Sequence, residues 1–219
     1  MTFLPLFIDL RGKGVVVFGG GSVGARRALE FARSGARVSV VAERFTHELE
    51  VAGRAGEVEL IRRSLRPGDD ISSLLKGRLL AVIATSDPAL NRYLARTAMS
   101  AGLLVNNATE ASEGDVVFPF RDEPLPGLYI AVTTLGASGV AARWARDRVS
   151  RCLSSDSELR ALLDVMTRFK RELKAKVSDV RTRLDLYFKV ESDQTFRELI
   201  SRGDVEGALR RALELAGLL

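Results

Sequence analysis

Cysteine and histidine are nearly absent, since the 219 residues hold one of each, Cys152 and His47. One cysteine permits no internal disulfide and no cysteine metal cluster, which predicts a protein of the reducing cytoplasm. One histidine excludes a histidine-rich site, so we expect no tightly held metal ion. No apolar run approaches the roughly 20 residues that span a bilayer. The apolar start, MTFLPLFIDLRGKG, lacks a basic leader and carries Asp9 and Arg11, so we expect neither a signal peptide nor a membrane partner.

Aromatic residues are also few, at 6%, and the basic residues are spread over many segments. Surfaces that bind nucleic acids place basic and aromatic side chains together, so nucleic acid is not an expected partner. Lysine and arginine still outnumber aspartate and glutamate by 33 to 28, for a net charge of +5. That balance favours a small anionic ligand, such as a phosphate or a polycarboxylate.

Strand and helix signals alternate through the first hundred residues. The hydrophobic pattern predicts strands at 14–19, 37–42, 58–62, 79–85 and 103–106. Helices are expected at 22–34 and 46–55, and a third is expected to run to about 101 from the cap and first-turn proline of Asp87-Pro88. Strands alternating with helices of this length predict a parallel sheet with right-handed crossovers, an α/β fold of Rossmann type.

The pattern changes after Asn107. Strands are predicted at 116–120 and 128–134, with DEPLPG as the turn between them, and the chain is mostly helical from Ser138 onward. The predicted helix caps are the capping boxes Ser155/Glu158 and Thr195/Glu198, and Asp204. One helical stripe is expected in a core or between subunits: Leu159, Leu162, Met166, Phe169 and Leu173. We therefore predict a Rossmann-type domain at 1–112, a small mixed region at 113–150 and a helical C-terminal domain at 151–219.

The segment GVVVFGGGSVG ends the first strand in a glycine turn and opens the first helix. Gly19, Gly21 and Gly24 fit the pattern G-x-G-x-x-G, which allows a tight turn, a close approach to a pyrophosphate and close helix–strand packing. The N–H groups near Ser22 and Val23 then face the anion at the helix N-terminus. Because the match lies between a strand and a helix, it predicts a dinucleotide site that also includes Gly20.

The choice of dinucleotide depends on the end of the second strand. Glu43 stands nineteen positions after Gly24, where an acidic side chain accepts hydrogen bonds from the adenosine ribose. Arg44 beside it weakens the choice of NAD over NADP, since an arginine there can bind the 2′-phosphate of NADP. We predict NAD as the cofactor, with Thr85 and Asn106 completing the cofactor set.

The order of motifs resembles the precorrin-2 dehydrogenase / sirohydrochlorin ferrochelatase family of siroheme (porphyrin) biosynthesis. The motifs that carry the resemblance are LPLFIDLRGKGVVVFGGGSVGARRALE, VSVVAERF, LLAVIATSDPALN, VNNATEASEGDVVFPF and LYIAVTTLGASGVAARWARDRV. They cover about residues 3 to 150 in register. The opening LPLF-x-DL-x-GK is more discriminating than the glycines that follow it.

The resemblance implies a homodimer whose central region serves dimerisation, and NAD-dependent oxidation of precorrin-2 to sirohydrochlorin. In some members of the family iron insertion follows. The substrate would be an anionic tetrapyrrole with eight carboxylates, for which Arg143 and Arg146 are candidate counter-charges. Thr134 and Ser138 are further candidates for substrate binding. Charges exposed on a helix surface explain the two arginines equally well.

Two departures from the family pattern bear on catalysis. Family members carry Asn-Val-x-Asp after the fifth strand, and here Thr109 stands at the aspartate position and cannot act as a carboxylate base. Glu110 is the expected substitute, with Glu113 and Asp115 nearby. The second motif, Ser-Gly-Gly-x-Ser-Pro, is TLGASG at 134–139 in this chain, so its loop is expected to differ. Both departures weaken the expectation of metal insertion more than that of oxidation, since hydride transfer rests mainly on positioning.

Two alternatives stay open on the sequence. The first is a nucleotide-sensing regulatory module, which also pairs a Rossmann domain with a small dimerisation unit. The second is a tetrapyrrole-binding relative without catalysis, and Thr109 is the residue that keeps it open.

Overall fold

The computed structural model describes residues 3–219 as two compact units. The first contains the chain up to Pro119 together with Thr133–Ser138, and the second contains Phe120–Val132 and Gly139–Leu219. The division at residues 112 and 150 stays a prediction.

The first unit is built on a sheet of five parallel strands, which confirms the predicted α/β fold. The strands are β1 (Gly14–Phe18), β2 (Arg37–Ala42), β3 (Glu59–Arg62), β4 (Leu80–Ile83) and β5 (Leu104–Asn107), in the order β3-β2-β1-β4-β5. The helices are α1 (Ser22–Arg33), α2 (His47–Arg54), α3 (Ser72–Leu75) and α4 (Pro88–Ser100). The short helix α3 was not expected from the sequence. The strand order reverses between β1 and β4, and such a switch point opens a crevice at the carboxyl ends of the strands.

Side chains of β1 alternate between two apolar cores, one on each face of the sheet. Val16 and Phe18 pack with α4, and Val15 and Val17 pack with α1 and α2. Burial on both faces explains why the strands are continuous apolar runs rather than alternating ones. It also fixes α1 against the sheet, with its first turn at the crevice.

The predicted strand at 116–120 is wrong. The antiparallel hairpin consists of β6 (Phe120–Leu125) and β7 (Leu128–Val132), so most of DEPLPG lies in a strand. Val116 and Phe118 instead pack against the α1 core of the first unit, which uses their apolar side chains for tertiary packing. Pro124 is tolerated in β6 because the register shifts between Asp122 and Leu125, and irregular edges accept proline.

In the second unit α5 (Gly139–Ser154) packs on the hairpin and four helices share a core. They are α6 (Ser157–Lys176), α7 (Val180–Ser192), α8 (Gln194–Ser201) and α9 (Val205–Leu215). Phe169 and Leu173 are buried there with Val165, while Leu159 of the predicted stripe lies outside this core. None of the helices within residues 3–219 combines the length and apolar composition needed to cross a bilayer.

Both predicted capping boxes are wrong, and Asp204 is confirmed as a cap. Asp156 caps α6 and Asp193 caps α8, whereas Asp204 accepts from the N–H of Gly207. The Ser155 hydroxyl is unavailable because it donates to the carbonyls at the end of α5. An ionised carboxylate is also the stronger acceptor for helix N–H groups.

Candidate functional site

The glycine turn closes tightly around β1 and α1. Gly19 has φ +119°, and a Cβ there would overlap the carbonyl oxygen of Ala84. A Cβ at Gly20 would overlap the carbonyl of Arg44, and one at Gly24 that of Gly19. These three glycines are therefore required by packing alone.

Gly21 differs from the other three, because a Cβ there would meet no atom within 4 Å. It is the N-cap of α1, and no side chain of the described residues caps this helix. The N–H groups of Ser22 and Val23 in the first turn thus lack an intrahelical acceptor and face open space. An open glycine beside free N–H groups at a helix N-terminus fits a pyrophosphate.

A cavity of about 770 Å³ opens at the carboxyl ends of β1, β2 and β4. The glycine turn lines it, together with Glu43, Arg44, Arg63 and Thr85. Glu43 follows β2 directly, and its carboxylate accepts a hydrogen bond from the hydroxyl of Ser64. The cavity therefore brings the predicted ribose residue and the predicted pyrophosphate turn together on one surface. Ser64, 21 positions away, was missed from the sequence.

A polar network joins the end of β4 to the turn after β5. Asn91 of α4 is buried, and its Oδ1 accepts from the Thr85 hydroxyl (2.6 Å) and N–H (3.2 Å). Its Nδ2 donates to the Thr85 carbonyl and to the Thr109 hydroxyl, both at 3.1 Å. Asn91 is thus a bridge between two predicted site residues, although the sequence analysis did not single it out.

The Thr109 hydroxyl has both a donor and an acceptor within this network. It donates to Oδ1 of Asn107 (2.8 Å) and accepts from Asn91, so its one proton is already committed to Asn107. Glu110, the expected substitute, accepts from the N–H (3.3 Å) and hydroxyl (2.5 Å) of Ser112. These hydrogen bonds from Ser112 lower the pKa of Glu110. Glu113 accepts from Asn107 Nδ2 at 3.2 Å.

Asn106 lies in β5, and Asp115 lies in the segment that follows it. Asn106 is buried, its Nδ2 donates to the Val116 carbonyl (2.7 Å), and its Oδ1 has no donor within residues 3–219. A buried acceptor without a partner costs about 1–3 kcal/mol, which a ligand with an N–H donor would recover. Asp115 pairs with the N–H of Val105 at 3.3 Å and lines a separate cavity, so the structure does not bring it to the glycine turn.

The loop that contains Thr134 and Ser138 is closed by its own hydrogen bonds. The Thr134 hydroxyl accepts from the Ser138 N–H (2.8 Å) and donates to its carbonyl (3.0 Å). Leu135 at its tip has φ +52°, a left-handed conformation that a leucine adopts only with strain. The family motif has glycine at this position, which adopts this conformation without strain, and the expected difference in the loop stays a prediction.

The two candidate arginines of α5 differ in their surroundings. Arg146 donates to the Arg121 carbonyl (3.0 Å) and lies 2.7 Å from a carboxylate oxygen of Asp147, so it is engaged within its own unit. Arg143 is exposed and has no hydrogen-bond or ion-pair partner among the described residues. Arg143 is therefore the better placed of the two for a carboxylate ligand.

No group of three or more histidine, cysteine, aspartate or glutamate side chains within residues 3–219 is arranged to hold a metal ion. The expectation of no tightly held metal stays a prediction.

A glycine turn at the switch point of a parallel sheet, with an acidic residue ending β2, defines a dinucleotide-binding protein of Rossmann type. Residues 6–120 match the family model described as "NAD(P)-binding". Precorrin-2 dehydrogenase of Methanosarcina barkeri is 32% identical over 198 residues, which cover 89% of this chain and 85% of that protein. The chain belongs to the precorrin-2 dehydrogenase family.

Two further comparisons show how far the similarity extends. Siroheme synthase of Actinobacillus pleuropneumoniae serotype 7 is 29% identical over 95% of this chain, but the chain spans only 41% of that protein's length. The structure of SirC, a precorrin-2 dehydrogenase, superposes with a TM-score of 0.70 at 21% identity and covers 99% of this chain and all of the other. This likeness confirms the fold, including the helical C-terminal region.

Proposed function

We propose that this protein oxidises precorrin-2 to sirohydrochlorin with NAD, as a step of siroheme biosynthesis. The observation that carries the proposal is the cavity in which the glycine turn and Glu43 lie together, in a chain with family-wide similarity to precorrin-2 dehydrogenases. Bound NAD⁺ supplies a hydride acceptor, and the protein supplies orientation.

Different residues of the described chain would bind different parts of the cofactor. The first turn of α1 at Ser22 and Val23 holds the pyrophosphate, and Glu43 accepts from the ribose hydroxyls. Thr85 lines the same cavity, whereas Asn106 does not line it, so its place in the cofactor set rests on the sequence alone. Because Thr85 is fixed through Asn91 to the turn after β5, this side of the site is rigid before the cofactor binds.

The oxidation also releases a proton from the substrate, and no candidate base in the described residues is well suited to take it. Thr109 is a neutral hydroxyl engaged with Asn91 and Asn107, and Glu110 is held by Ser112 with a lowered pKa, which makes it a weak base. We therefore propose that the proton leaves to water and that catalysis rests on positioning.

The direct test is anaerobic incubation of the purified protein with precorrin-2 and NAD. We expect NADH and sirohydrochlorin to form in equal amounts, seen as two absorption changes with one time course. Tight binding of the tetrapyrrole without turnover would instead identify a relative that has lost catalysis. If the tetrapyrrole does not bind, the nucleotide-sensing alternative becomes the better one.

Replacing Glu110 by glutamine is expected to change kcat by less than about threefold. A carboxylate with a lowered pKa is a poor proton acceptor, and glutamine can still accept from Ser112. The measurement is steady-state turnover with precorrin-2 at saturating NAD. A loss of about a hundredfold in kcat, the order expected for removing a general base, with unchanged KM for NAD would show that Glu110 is the base that the sequence predicts.

We also propose a cytoplasmic homodimer that binds neither nucleic acid nor membranes. The hairpin of β6 and β7 has only two strands, and α5 buries a single residue, Ala142. Val140 and Trp144 on α5 are 71% and 70% exposed, a surface that a second copy would cover. Two-stranded hairpins need such packing to be stable. The elution volume and light scattering of the purified protein test this.

Iron insertion into sirohydrochlorin is the less supported part of the family's chemistry. The family aspartate that would handle the metal is Thr109 here, and its hydroxyl is committed to Asn91 and Asn107. We propose that a separate chelatase inserts the metal. Incubation with sirohydrochlorin and Fe²⁺ should give no siroheme above the rate without protein, and faster formation would contradict this.

A further inference from the structure

The Glu43 carboxylate is held by Ser64 rather than by any of the arginines around it. Ser64 lies after β3, and its hydroxyl donates to Glu43 Oε1. Within the described part of the chain no arginine forms an ion pair with this carboxylate. A hydroxyl orients a carboxylate without neutralising it, so Glu43 keeps its full charge at the ribose end of the cavity.

Two arginines line the same cavity as Glu43. The Arg44 side chain has no hydrogen-bond or ion-pair partner among residues 3–219, and Arg63 donates to the Asp70 carbonyl with one nitrogen (3.0 Å). A third, Arg62, is committed elsewhere, to the Glu43 carbonyl (2.8 Å). Arg44 and Arg63 therefore keep donors available on the cavity side.

These groups have opposite preferences for the 2′ position of the adenosine ribose. A carboxylate accepts from a 2′-hydroxyl and repels a 2′-phosphate. Two guanidinium groups bind a phosphate through charge-assisted hydrogen bonds. Glu43, Arg44 and Arg63 line the same cavity, and of these three side chains only the carboxylate opposes the phosphate.

We propose that Ser64 is the positioning residue that holds Glu43 in place to select NAD over NADP, and that Arg44 and Arg63 form a 2′-phosphate site masked by this one carboxylate. The proposal rests on the proposed use of NAD at this cavity. It assigns cofactor selectivity to a pair of side chains, Glu43 and Ser64, that come from different strand ends.

The test measures binding of ADP and 2′,5′-ADP by calorimetry, because these fragments report on the ribose end without turnover. The intact protein should prefer ADP. In Glu43→Gln, we expect the Kd for 2′,5′-ADP to fall about tenfold and the Kd for ADP to rise about tenfold, each corresponding to 1.4 kcal/mol. Adding Arg44→Gln to this variant should remove the gain for 2′,5′-ADP.

Ser64 is tested by the same ratio of dissociation constants. Ser64→Ala should reduce the preference for ADP by about threefold to tenfold, the value of one ordinary hydrogen bond, with the unfolding midpoint unchanged. Ser64→Thr keeps the hydroxyl and should restore the ratio. Exposed residues outside the cavity, in Glu57→Gln and Arg54→Gln, control for net charge and should leave both constants unchanged.

The outcomes separate this proposal from the proposed function. If the intact protein binds ADP but Glu43→Gln gains no affinity for 2′,5′-ADP, the masked phosphate site does not exist while the NAD site stands. An unchanged ratio in Ser64→Ala overturns the positioning role. If the intact protein binds neither nucleotide, the cofactor cavity itself is wrong and this proposal falls with it.

Discussion

Replacing Gly19 by alanine is expected to abolish NAD binding and to lower the free energy of unfolding by about 3 kcal/mol. The residue has φ +119°, which alanine adopts only with strain, and the added methyl would overlap the Ala84 carbonyl after β4. Relief requires β1 and β4 to move apart at the switch point, where the cofactor cavity lies. Urea unfolding and titration with NADH measure the two effects.

Gly21→Ala is the matched control, two residues away in the same turn. Its backbone is extended (φ −78°, ψ −176°), and its Cβ would meet nothing within 4 Å, so we expect stability within about 0.5 kcal/mol of the parent. The methyl would project into the space left for the pyrophosphate, and the Kd for NADH should rise about tenfold or more. Equal loss of stability in the two variants would contradict the distinct roles of these glycines.

The sheet was predictable because its signals are local. The strand at 37–42 agrees residue for residue, since RVSVVA is a β-branched run bounded by Gly35 on one side and Glu43 on the other. The start of α4 also agrees, because Asp87 accepts from the N–H groups of Ala89 (2.8 Å) and Leu90 (3.2 Å). Each of these features depends on residues within a few positions of one another.

The remaining features of the site depend on contacts between distant residues. Ser64 meets Glu43 only because β2 and β3 are neighbours, and Asn91 meets Thr109 only because β4 and β5 are. In the sequence, Ser64 is a polar loop residue and Asn91 a polar position of an amphipathic helix. Counting from the family motif located Thr109, but the count could not show that its hydroxyl forms hydrogen bonds with Asn91 and Asn107.

The wrong prediction of a strand at 116–120 also results from contacts between distant residues. The run of β-branched and aromatic residues in VVFPF is the local signal of a strand, yet the ring of Phe118 lies edge-on to Phe31 at 5.2 Å and beneath Arg27 at 3.8 Å. These contacts hold the segment against α1. Packing against a distant helix, which periodicity does not report, decided its conformation.

Replacing Asn91 by alanine is expected to lower the free energy of unfolding by about 3 kcal/mol and kcat by about a hundredfold. The side chain is 2% exposed and its four hydrogen bonds to Thr85 and Thr109 would be lost, which leaves the N–H and carbonyl of the half-buried Thr85 without these partners. The end of β4 and the turn at Thr109 would then move independently beside the cofactor cavity. Urea unfolding and precorrin-2 turnover measure the two losses.

Thr109→Val separates structure from chemistry in this network, because valine keeps the shape and removes only the hydroxyl. We expect a loss of about 1 kcal/mol in stability, and turnover within about threefold of the parent. Since the Asn91–Thr109 hydrogen bond is already absent in Asn91→Ala, the double variant should lose less stability than the sum of the two single losses, and the further loss that remains belongs to the Thr109–Asn107 hydrogen bond. Additive losses of stability would show that the two side chains act separately. A large loss of turnover in Thr109→Val with little loss of stability would instead assign the hydroxyl a part in the chemistry.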